Sequence, residues 1–348
     1  MGLRIGLVGT GQIAIESHLP VLKSLRNIEV VAVCDQRVSL AKDVASRFGV
    51  KDVFNDVKDM LDQGKLDVVD ICTPPHTHAS LSILAMEAGC HVLVEKPMAI
   101  SVREADTMLE ASRKNGVVLS VIHQNLYNPV VVQAKRMVNS GVLGELLNVE
   151  VQTLERKDSE LCQNENHWCH KLPGGIFFEI LPHPVYLLKL FLTDLRPVHV
   201  LGKKLGNASW MPIDELSVLV DSSDAVGTIV ASCNSMIHGD TLAILGTKMA
   251  LKADLWGRTM ILQKPRGLSA FSVGTGNLNL SLQLLKVLGS TASIMMRTLK
   301  GRVTVSAHYA IISEFVNSII NNSPPPTTGE QGRETVRILE DISMQLKQ

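Results

Sequence analysis

The 348-residue sequence has few aromatic residues, no excess of either charge and no paired cysteines. Its 34 basic residues equal its 34 acidic residues, which argues against a uniformly basic, nucleic-acid-binding surface. The six cysteines are scattered, unlike those of disulfide-stapled secreted domains, so we expect free thiols and a cytoplasmic protein. With 45% hydrophobic residues, the composition and length predict a globular chain of two domains.

Long hydrophobic runs are missing as well. The first residues lack the apolar stretch and cleavage site of a signal peptide, and we expect none. The most apolar segment, residues 180–192, is interrupted by Pro182, His183, Pro184 and Lys189 and is too short to cross a bilayer. We therefore predict no transmembrane helix.

Acidic residues are absent from Leu255 to Ser313, a stretch that carries seven Lys and Arg residues. Apolar residues within it fall on one helical face, namely Leu284, Leu285, Leu288, Ala292, Met295 and Leu299, with Lys286, Ser293, Arg297 and Lys300 away from that face. We interpret this as a core-packing or oligomer-facing helix whose basic residues pair with acids elsewhere. Peripheral membrane contact through residues 277–303, or a surface that favours anionic substrates, are the alternatives.

The sequence does contain a regular alternation of apolar runs with helical periods up to about residue 120, which predicts a parallel sheet covered by helices. The predicted strands are Leu3–Val8, Val30–Cys34, Val68–Cys72, His91–Val94 and Val117–Val121. Longer strands follow, such as Glu215–Asp221 and Gly227–Cys233, and indicate a mostly antiparallel sheet. Two predicted helices, Ala307–Ile320 and Glu330–Leu346, close the chain.

A glycine-rich turn follows the first predicted strand. Gly9 allows a tight turn, Gly11 allows the backbone to approach a pyrophosphate, and Ala14 allows close helix packing. Asp35 ends the second strand about 20 residues beyond the motif, where it can bind ribose hydroxyls and repel a 2′-phosphate. The pattern predicts an NAD site, although Arg37 could soften the preference over NADP.

Two further strands end in candidate site residues. Val94 is followed by Glu95-Lys96-Pro97, and the preceding strand by a rigid loop from Thr73 to His78. Ligands of open parallel sheets bind at the carboxyl ends of the strands, so we expect Lys96 to point into that crevice.

Together with Gly174-Gly175-x3-Glu179-x3-His183, these motifs make the sequence resemble the Gfo/Idh/MocA oxidoreductases, the glucose-fructose oxidoreductase and inositol dehydrogenase family. The resemblance covers nearly the whole chain. It implies an N-terminal Rossmann domain, assigned to residues 1–122. It also implies a C-terminal α+β domain with a large, mostly antiparallel open sheet for substrate binding and oligomerisation, assigned to residues 123–348, whose final helices can pack back on the first domain.

The resemblance also implies site residues. His183 is expected to be the general acid/base, with Lys96 polarising the reacting oxygen. Glu179, where Asp is usual, is expected to orient His183 or to hold a neighbouring hydroxyl. If Glu179 and His183 lie on one helix, their spacing of four residues puts them on one face. We expect cofactor contacts from Gly9, Gly11, Gln12, Ile13, Asp35, Arg37, Thr73, Pro74, His78, Glu95, Lys96 and Gln124. We expect substrate contacts from Lys96, Asn125, Trp168, Glu179 and His183.

The leading hypothesis is an NAD-dependent dehydrogenase that acts on a secondary alcohol of a sugar, sugar nucleotide, glycoside or cyclitol, as a homodimer or homotetramer. An NADP-linked reductase of another small molecule and a catalytically inactive regulatory or scaffold protein are the alternatives. We expect no metal, because Cys162, His167, Cys169 and His170 match no usual zinc spacing.

Overall fold

A computed structural model describes residues 2–265 and 307–346, together with positions 267, 269, 274–275, 277–278, 281–285, 287–289 and 296. The chain divides into two compact units. The first comprises Met1–Gln124 with His308–Glu340, and the second comprises Asn125–Ala307 with Asp341–Gln348.

The first unit is built on a six-stranded parallel sheet. Its strands are β1 (Leu3–Val8), β2 (Ile28–Cys34), β3 (Asp52–Phe54), β4 (Val68–Ile71), β5 (His91–Val94) and β6 (Leu119–Val121). The order β3-β2-β1-β4-β5-β6 reverses direction between β1 and β4, and this is the point where dinucleotides bind in doubly wound sheets.

Helices connect these strands. They are α1 (Leu19–Ser24), preceded by a π-helical turn at Ala14–His18, α2 (Val38–Phe48), α3 (Val57–Gly64), α4 (His78–Glu87) and α5 (Val102–Asn115). The valines and isoleucines of the strands and the alanines and methionines of the helices form one buried core, because these strands are covered by apolar helix faces. Of the last two helices, α10 (Ala307–Ile320) and α11 (Gly329–Leu346), most residues belong to this unit.

The second unit contains a seven-stranded sheet in the order β13-β12-β11-β7-β10-β9-β8. These strands are β7 (Leu146–Arg156), β8 (Arg196–Lys203), β9 (Glu215–Asp221), β10 (Val226–Ser235), β11 (Gly239–Gly246), β12 (Ala250–Asp254) and β13 (Thr259–Gln263). All neighbouring pairs are antiparallel except β7 with β10. Burial alternates along β9 and β12, so one face is packed and the other is exposed.

Four labelled helices belong to the second unit: α6 (Pro129–Asn139), α7 (Glu160–Gln163), α8 (Ile176–Ile180) and α9 (Pro182–Lys189). Residues 281–285 and 287–289 are helical as well, and Leu284, Leu285 and Leu288 are exposed there. The other residues on which the amphipathic prediction for 277–303 rests, Lys286, Ala292, Ser293, Met295, Arg297, Leu299 and Lys300, lie outside the described residues.

The α/β fold prediction is confirmed, with a Rossmann sheet and a mostly antiparallel second sheet. One predicted strand start, Val117, is wrong. The Val117 N–H donates to Ser112 O and the Val118 N–H to His91 Nδ1, so β6 begins only at Leu119. In the described part of the chain, no helix has the length and apolar character needed to cross a membrane. All six cysteines are buried and free, as predicted.

Candidate functional site

The glycine turn after β1 has the geometry that its sequence requires. Gly9 has φ +90°, and a Cβ there would lie 2.8 Å from the backbone of Cys72, so a larger residue is excluded on two grounds. A Cβ at Gly11 would meet no atom of the described residues within 4 Å, which leaves space for a ligand. Gln12 and Ile13 begin the following helix, whose first N–H groups are suited to bind phosphate. These features fit a dinucleotide pyrophosphate.

Asp35 lies immediately after β2 and is fixed by its neighbours. Its Oδ2 accepts hydrogen bonds from the Thr10 N–H and hydroxyl, both at 2.9 Å. Its Oδ1 accepts from the Arg37 N–H at 2.9 Å and lies 3.5 Å from Arg37 Nε. Burial alone would raise the pKa of Asp35, but the hydrogen bonds from Thr10 and Arg37 lower it below its ordinary value. An ionised carboxylate therefore stands beside the glycine turn.

The loops after β4 and β5 are joined by a histidine. His78 is fully buried, and its Nδ1 and Nε2 lie 2.8 Å from Pro97 O and 2.7 Å from Thr73 O. The first loop is stiffened further by a 3₁₀ turn at Pro75–Thr77 that follows Pro74. His78 thus holds the Thr73–Pro74 loop against the turn that carries Lys96.

Glu95 and Lys96 follow β5 directly. The Glu95 carboxylate is buried, and its Oε2 accepts from the Lys96 N–H at 2.9 Å. Its Oε1 lies 2.9 Å from Nε2 of His18, whose Nδ1 lies 2.7 Å from Asp70 Oδ2. The described contacts of Glu95 are thus with protein groups, and its contact with a cofactor stays a prediction. Lys96 itself is half-buried at the carboxyl edge of the sheet.

The second unit places His183 next to a tyrosine. Its Nδ1 lies 2.7 Å from the Tyr186 hydroxyl, and the two rings meet edge to face at 5.6 Å. The same hydroxyl accepts from the Asn125 N–H at 3.2 Å, while Asn125 Nδ2 donates to Asp240 Oδ2 at 3.0 Å. The hydroxyl can accept from the Asn125 N–H and still donate its own proton to His183 Nδ1.

Glu179 and His183 lie on two successive helical segments and not on one helix. Glu179 lies in α8 and His183 in α9, and the two segments are separated by Leu181. Pro182 has no N–H to continue the hydrogen-bond ladder, although Leu181 keeps helical dihedral angles. Both residues are half-buried.

The remaining predicted substrate and cofactor residues lie in short turns. Gln124 begins a 3₁₀ turn at Gln124–Tyr127, and its Oε1 is buried with no hydrogen-bond partner among the described residues. Trp168 begins another at Trp168–Lys171 and is half-buried, with its ring 4.8 Å from the His167 ring. His167 Nδ1 accepts from the Cys169 N–H at 3.3 Å and so caps that turn.

Two protein-family models match this chain. The model "Oxidoreductase family, NAD-binding Rossmann fold" matches residues 3–123, and the GFO/IDH/MocA C-terminal domain matches residues 131–252. Inositol 2-dehydrogenase of Salmonella paratyphi B is 30% identical over 234 residues, which are 66% of this chain and 67% of that protein. The chain belongs to the Gfo/Idh/MocA oxidoreductase family.

Two other relatives of this Gfo/Idh/MocA chain are informative. D-glucoside 3-dehydrogenase of Escherichia coli is 36% identical over 154 residues, and the match spans only 44% of each chain. The WlbA dehydrogenase of Bordetella pertussis, solved with NADH and UDP-GlcNAcA, has a TM-score of 0.79 at 21% identity and covers 100% of this chain and 97% of its own. The second similarity shows a shared fold.

In each unit of this Gfo/Idh/MocA chain, some partners of the candidate residues were not predicted. Tyr186 stands three residues after His183, a spacing that puts the two on one helical face and was available as a signal. His18 and Asp70 are 52 residues apart in the sequence, and no local pattern joins them. They meet only in the folded chain, where His18 Nδ1 lies 2.7 Å from Asp70 Oδ2.

Proposed function

We propose that the protein is an NAD-dependent dehydrogenase that transfers a hydride between nicotinamide and a secondary alcohol or ketone of a sugar, sugar nucleotide, glycoside or cyclitol. The observation that carries this proposal is the carboxyl edge of the first sheet. It carries the open Gly9–Gly11 turn after β1, the ionised Asp35 after β2 and Lys96 after β5, so these groups lie on both sides of the switch point between β1 and β4.

The nicotinamide supplies the hydride acceptor or donor when the cofactor is bound. The hydroxyl proton of the alcohol then needs a base, and His183 is assigned that role. Because Tyr186 contacts His183 at Nδ1, we assign the proton exchange with substrate to Nε2. The Tyr186 hydroxyl can donate to Nδ1 in one protonation state and accept from it in the other, so it can hold the ring throughout the reaction.

Lys96 is assigned to the reacting oxygen. Its ammonium group can donate a hydrogen bond to that oxygen and stabilise the negative charge that develops when the proton leaves. Glu179 is assigned to orient His183 or to hold a neighbouring substrate hydroxyl. Trp168 packs against the ring of His167, and a sugar ring can stack on its indole.

The preference for NAD rests on Asp35. An ionised carboxylate can accept from both ribose hydroxyls and repels a 2′-phosphate. Arg37 was the residue expected to soften this preference, but its N–H donates to Asp35 and its Nε lies within 3.5 Å of the same oxygen. Arg37 therefore supports the ionised form of this carboxylate.

Polyhydroxylated rings are the proposed substrate class. Three relatives point to it through their names: a D-glucoside 3-dehydrogenase, an inositol 2-dehydrogenase and a dehydrogenase solved with a sugar nucleotide. A glucoside oxidised at its 3-hydroxyl is our first candidate, because that relative has the highest identity of the three.

We also propose a homodimer or homotetramer formed through the outer face of the second sheet. Leu201, Leu219, Val226 and Leu245 leave 45–48% of their surface exposed, and strand pairing puts them on that face. Light scattering would test this state. A monomer at micromolar concentration would refute it.

The experiment for the proposed activity is a screen of glucosides, inositols and sugar nucleotides with NAD, followed by the absorbance of NADH. His183→Ala should abolish turnover with the best substrate and leave NADH binding, measured by fluorescence, unchanged. Lys135→Ala, at an exposed position of α6 in the same unit, is the control and should keep full activity. Full turnover by His183→Ala would contradict the mechanism, and no NADH binding by the wild type would contradict the function.

A further inference from the structure

The first unit contains a buried histidine between two buried carboxylates. His18 ends the π-helical turn Ala14–His18, and 0% of its surface is exposed. Its Nδ1 lies 2.7 Å from Asp70 Oδ2 in β4, and its Nε2 lies 2.9 Å from Glu95 Oε1 just after β5. Asp70 and Glu95 are 1% and 5% exposed. All three charges are therefore withdrawn from water.

This geometry defines the charge of the ring. A neutral imidazole has one N–H and one lone pair, so one carboxylate would face a lone pair at less than 3 Å. An imidazolium donates to both and compensates two buried negative charges. Burial acts to lower the pKa of His18, but the charge of Asp70 and its hydrogen bond raise it well above the ordinary value.

Three further titratable groups act on the charges of this cluster: Cys72, His308 and Lys96. Cys72 Sγ lies 3.9 Å from Asp70 Oδ1, and burial raises the pKa of this thiol to about 12. His308, from α10, approaches Glu95 Oε1 to 4.0 Å, and burial lowers its pKa to about 4. At neutral pH, Cys72 and His308 carry no charge, and the Lys96 ammonium acts on Glu95 alone, so His18 is the described cation within hydrogen-bond distance of both Asp70 and Glu95.

Glu95 connects the cluster to Lys96 through two hydrogen-bond contacts. Its Oε1 lies at hydrogen-bond distance from His18 Nε2, and its Oε2 accepts a hydrogen bond from the Lys96 N–H at 2.9 Å. On the other side of the turn, Pro97 O lies 2.8 Å from His78 Nδ1. The backbone of Lys96 is thus fixed through charged hydrogen bonds that begin at His18.

We propose that His18 is a positioning residue, a permanently protonated imidazolium that orients Glu95 and, through Glu95, the backbone of Lys96. The inference rests on the proposed function, because it takes its significance from the role assigned to Lys96. His18 makes no contact with the reacting atoms in this scheme. Through Glu95, it fixes the backbone position from which the side chain of Lys96 extends.

Some of these residues could instead bind a metal ion. His18, Glu95 and His308 each offer a ligand atom, and these atoms lie within 4.8 Å of one another. Both ring nitrogens of His18 are, however, already at hydrogen-bond distance from carboxylates, and this favours the proton over the metal. Metal content therefore enters the test as an outcome.

The charge state can be measured on the wild-type chain labelled with ¹⁵N-histidine. At about pH 8, well above the ordinary histidine pKa, we expect both ring nitrogens of His18 to give the shifts of protonated nitrogens. His91 is the internal reference, since its Nδ1 accepts from the Val118 N–H and must be unprotonated. An unprotonated nitrogen in His18, or one equivalent of zinc lost on His18 or His308 substitution, would overturn the proposal.

The positioning role is tested by a double-mutant cycle. We expect His18→Gln to lower kcat by about 10- to 100-fold, and to change the KM for substrate and for NAD by less than about 3-fold. In a Lys96→Ala background, the same substitution should lower kcat by less than about 2-fold, since its effect passes through Lys96. A loss that persists in full in that background would refute the proposal, because a general structural defect behaves in that way.

A second variant covers the case in which His18→Gln does not fold. Asp70→Asn leaves the ring in place and removes one of its charged partners, so we expect the His18 nitrogens to titrate at lower pH and kcat to fall. Unchanged titration would contradict the account. If Lys96→Ala keeps wild-type kcat, the role proposed for Lys96 is wrong. The ¹⁵N result on His18 is read independently of that outcome.

Discussion

Replacing Glu95 by Gln should remove a defined amount of stability that depends on pH. Burial would raise the pKa of Glu95, but the hydrogen bond and charge of His18 hold it at about 2, against an ordinary value of 4.5. That difference corresponds to about 3 kcal/mol of unfolding free energy. Because the folded pKa is depressed, the contribution is complete above pH 4.5 and disappears as the pH falls towards 2.

Glutamine has the shape of a protonated glutamic acid, so Glu95→Gln lacks this contribution at every pH. We expect the variant to be about 3 kcal/mol less stable at neutral pH, and the gap to close by about 1.4 kcal/mol for each pH unit below the ordinary carboxyl pKa. A gap that is independent of pH would show that the loss arises from packing and not from the charge, and would refute the reasoning.

The assay must follow the first unit. All three tryptophans, Trp168, Trp210 and Trp256, lie in the second unit, so their fluorescence reports on the wrong part of the chain. Hydrogen exchange of the β4 and β5 amides across a urea series is the suitable probe. Glu110→Gln, on the exposed side of α5, is the matched control and should change stability by less than about 0.5 kcal/mol.

Three further predictions concern the site. Asp35→Asn should reduce the preference for NADH over NADPH by on the order of 100-fold in Kd, since two unit charges about 4 Å apart repel by a few kcal/mol near a protein surface; an unchanged ratio by fluorescence titration would contradict this. Tyr186→Phe should lower kcat about 10-fold with little change in KM and should shift the kcat–pH profile, because His183 loses its partner at Nδ1. Gly9→Ala should abolish NADH binding and destabilise the first unit by at least about 1 kcal/mol, because φ is +90° and the added Cβ meets Cys72; calorimetry and NADH titration that match wild type would exclude the strain.

Local features of this chain could be predicted from its sequence because their causes are local. The bounds of β1, β5, β9 and α10 coincide with the predicted ones, because apolar runs and helical spacing are visible within short stretches of sequence. Asp35 was found from its distance to the glycine turn, and the structure places it beside Thr10. The separation between the glycine turn and Asp35 is set within one βαβ unit, so the position of Asp35 could be predicted from the sequence alone.

Features that depend on tertiary packing could not be predicted in the same way. The partners of His18 lie 52 and 77 residues away in the sequence, and nothing near His18 indicates that it would be buried between two carboxylates. The separation of Glu179 from His183 is different, because Pro182 stands in the sequence and lacks the N–H that a continuous helix needs. That interruption could have been predicted from the residues alone.

The central claim, hydride transfer from a secondary alcohol of a sugar ring to NAD, is tested most directly with a deuterated substrate. Methyl glucoside carrying deuterium at carbon 3 would be incubated with NAD and the protein, and the cofactor analysed by mass spectrometry. The account predicts NADH that contains the substrate deuterium, formed by the wild-type protein and not by His183→Ala. Unlabelled NADH would show that another position is oxidised. The absence of labelled NADH with every deuterated sugar, inositol and sugar nucleotide, despite tight NADH binding, would contradict the claim.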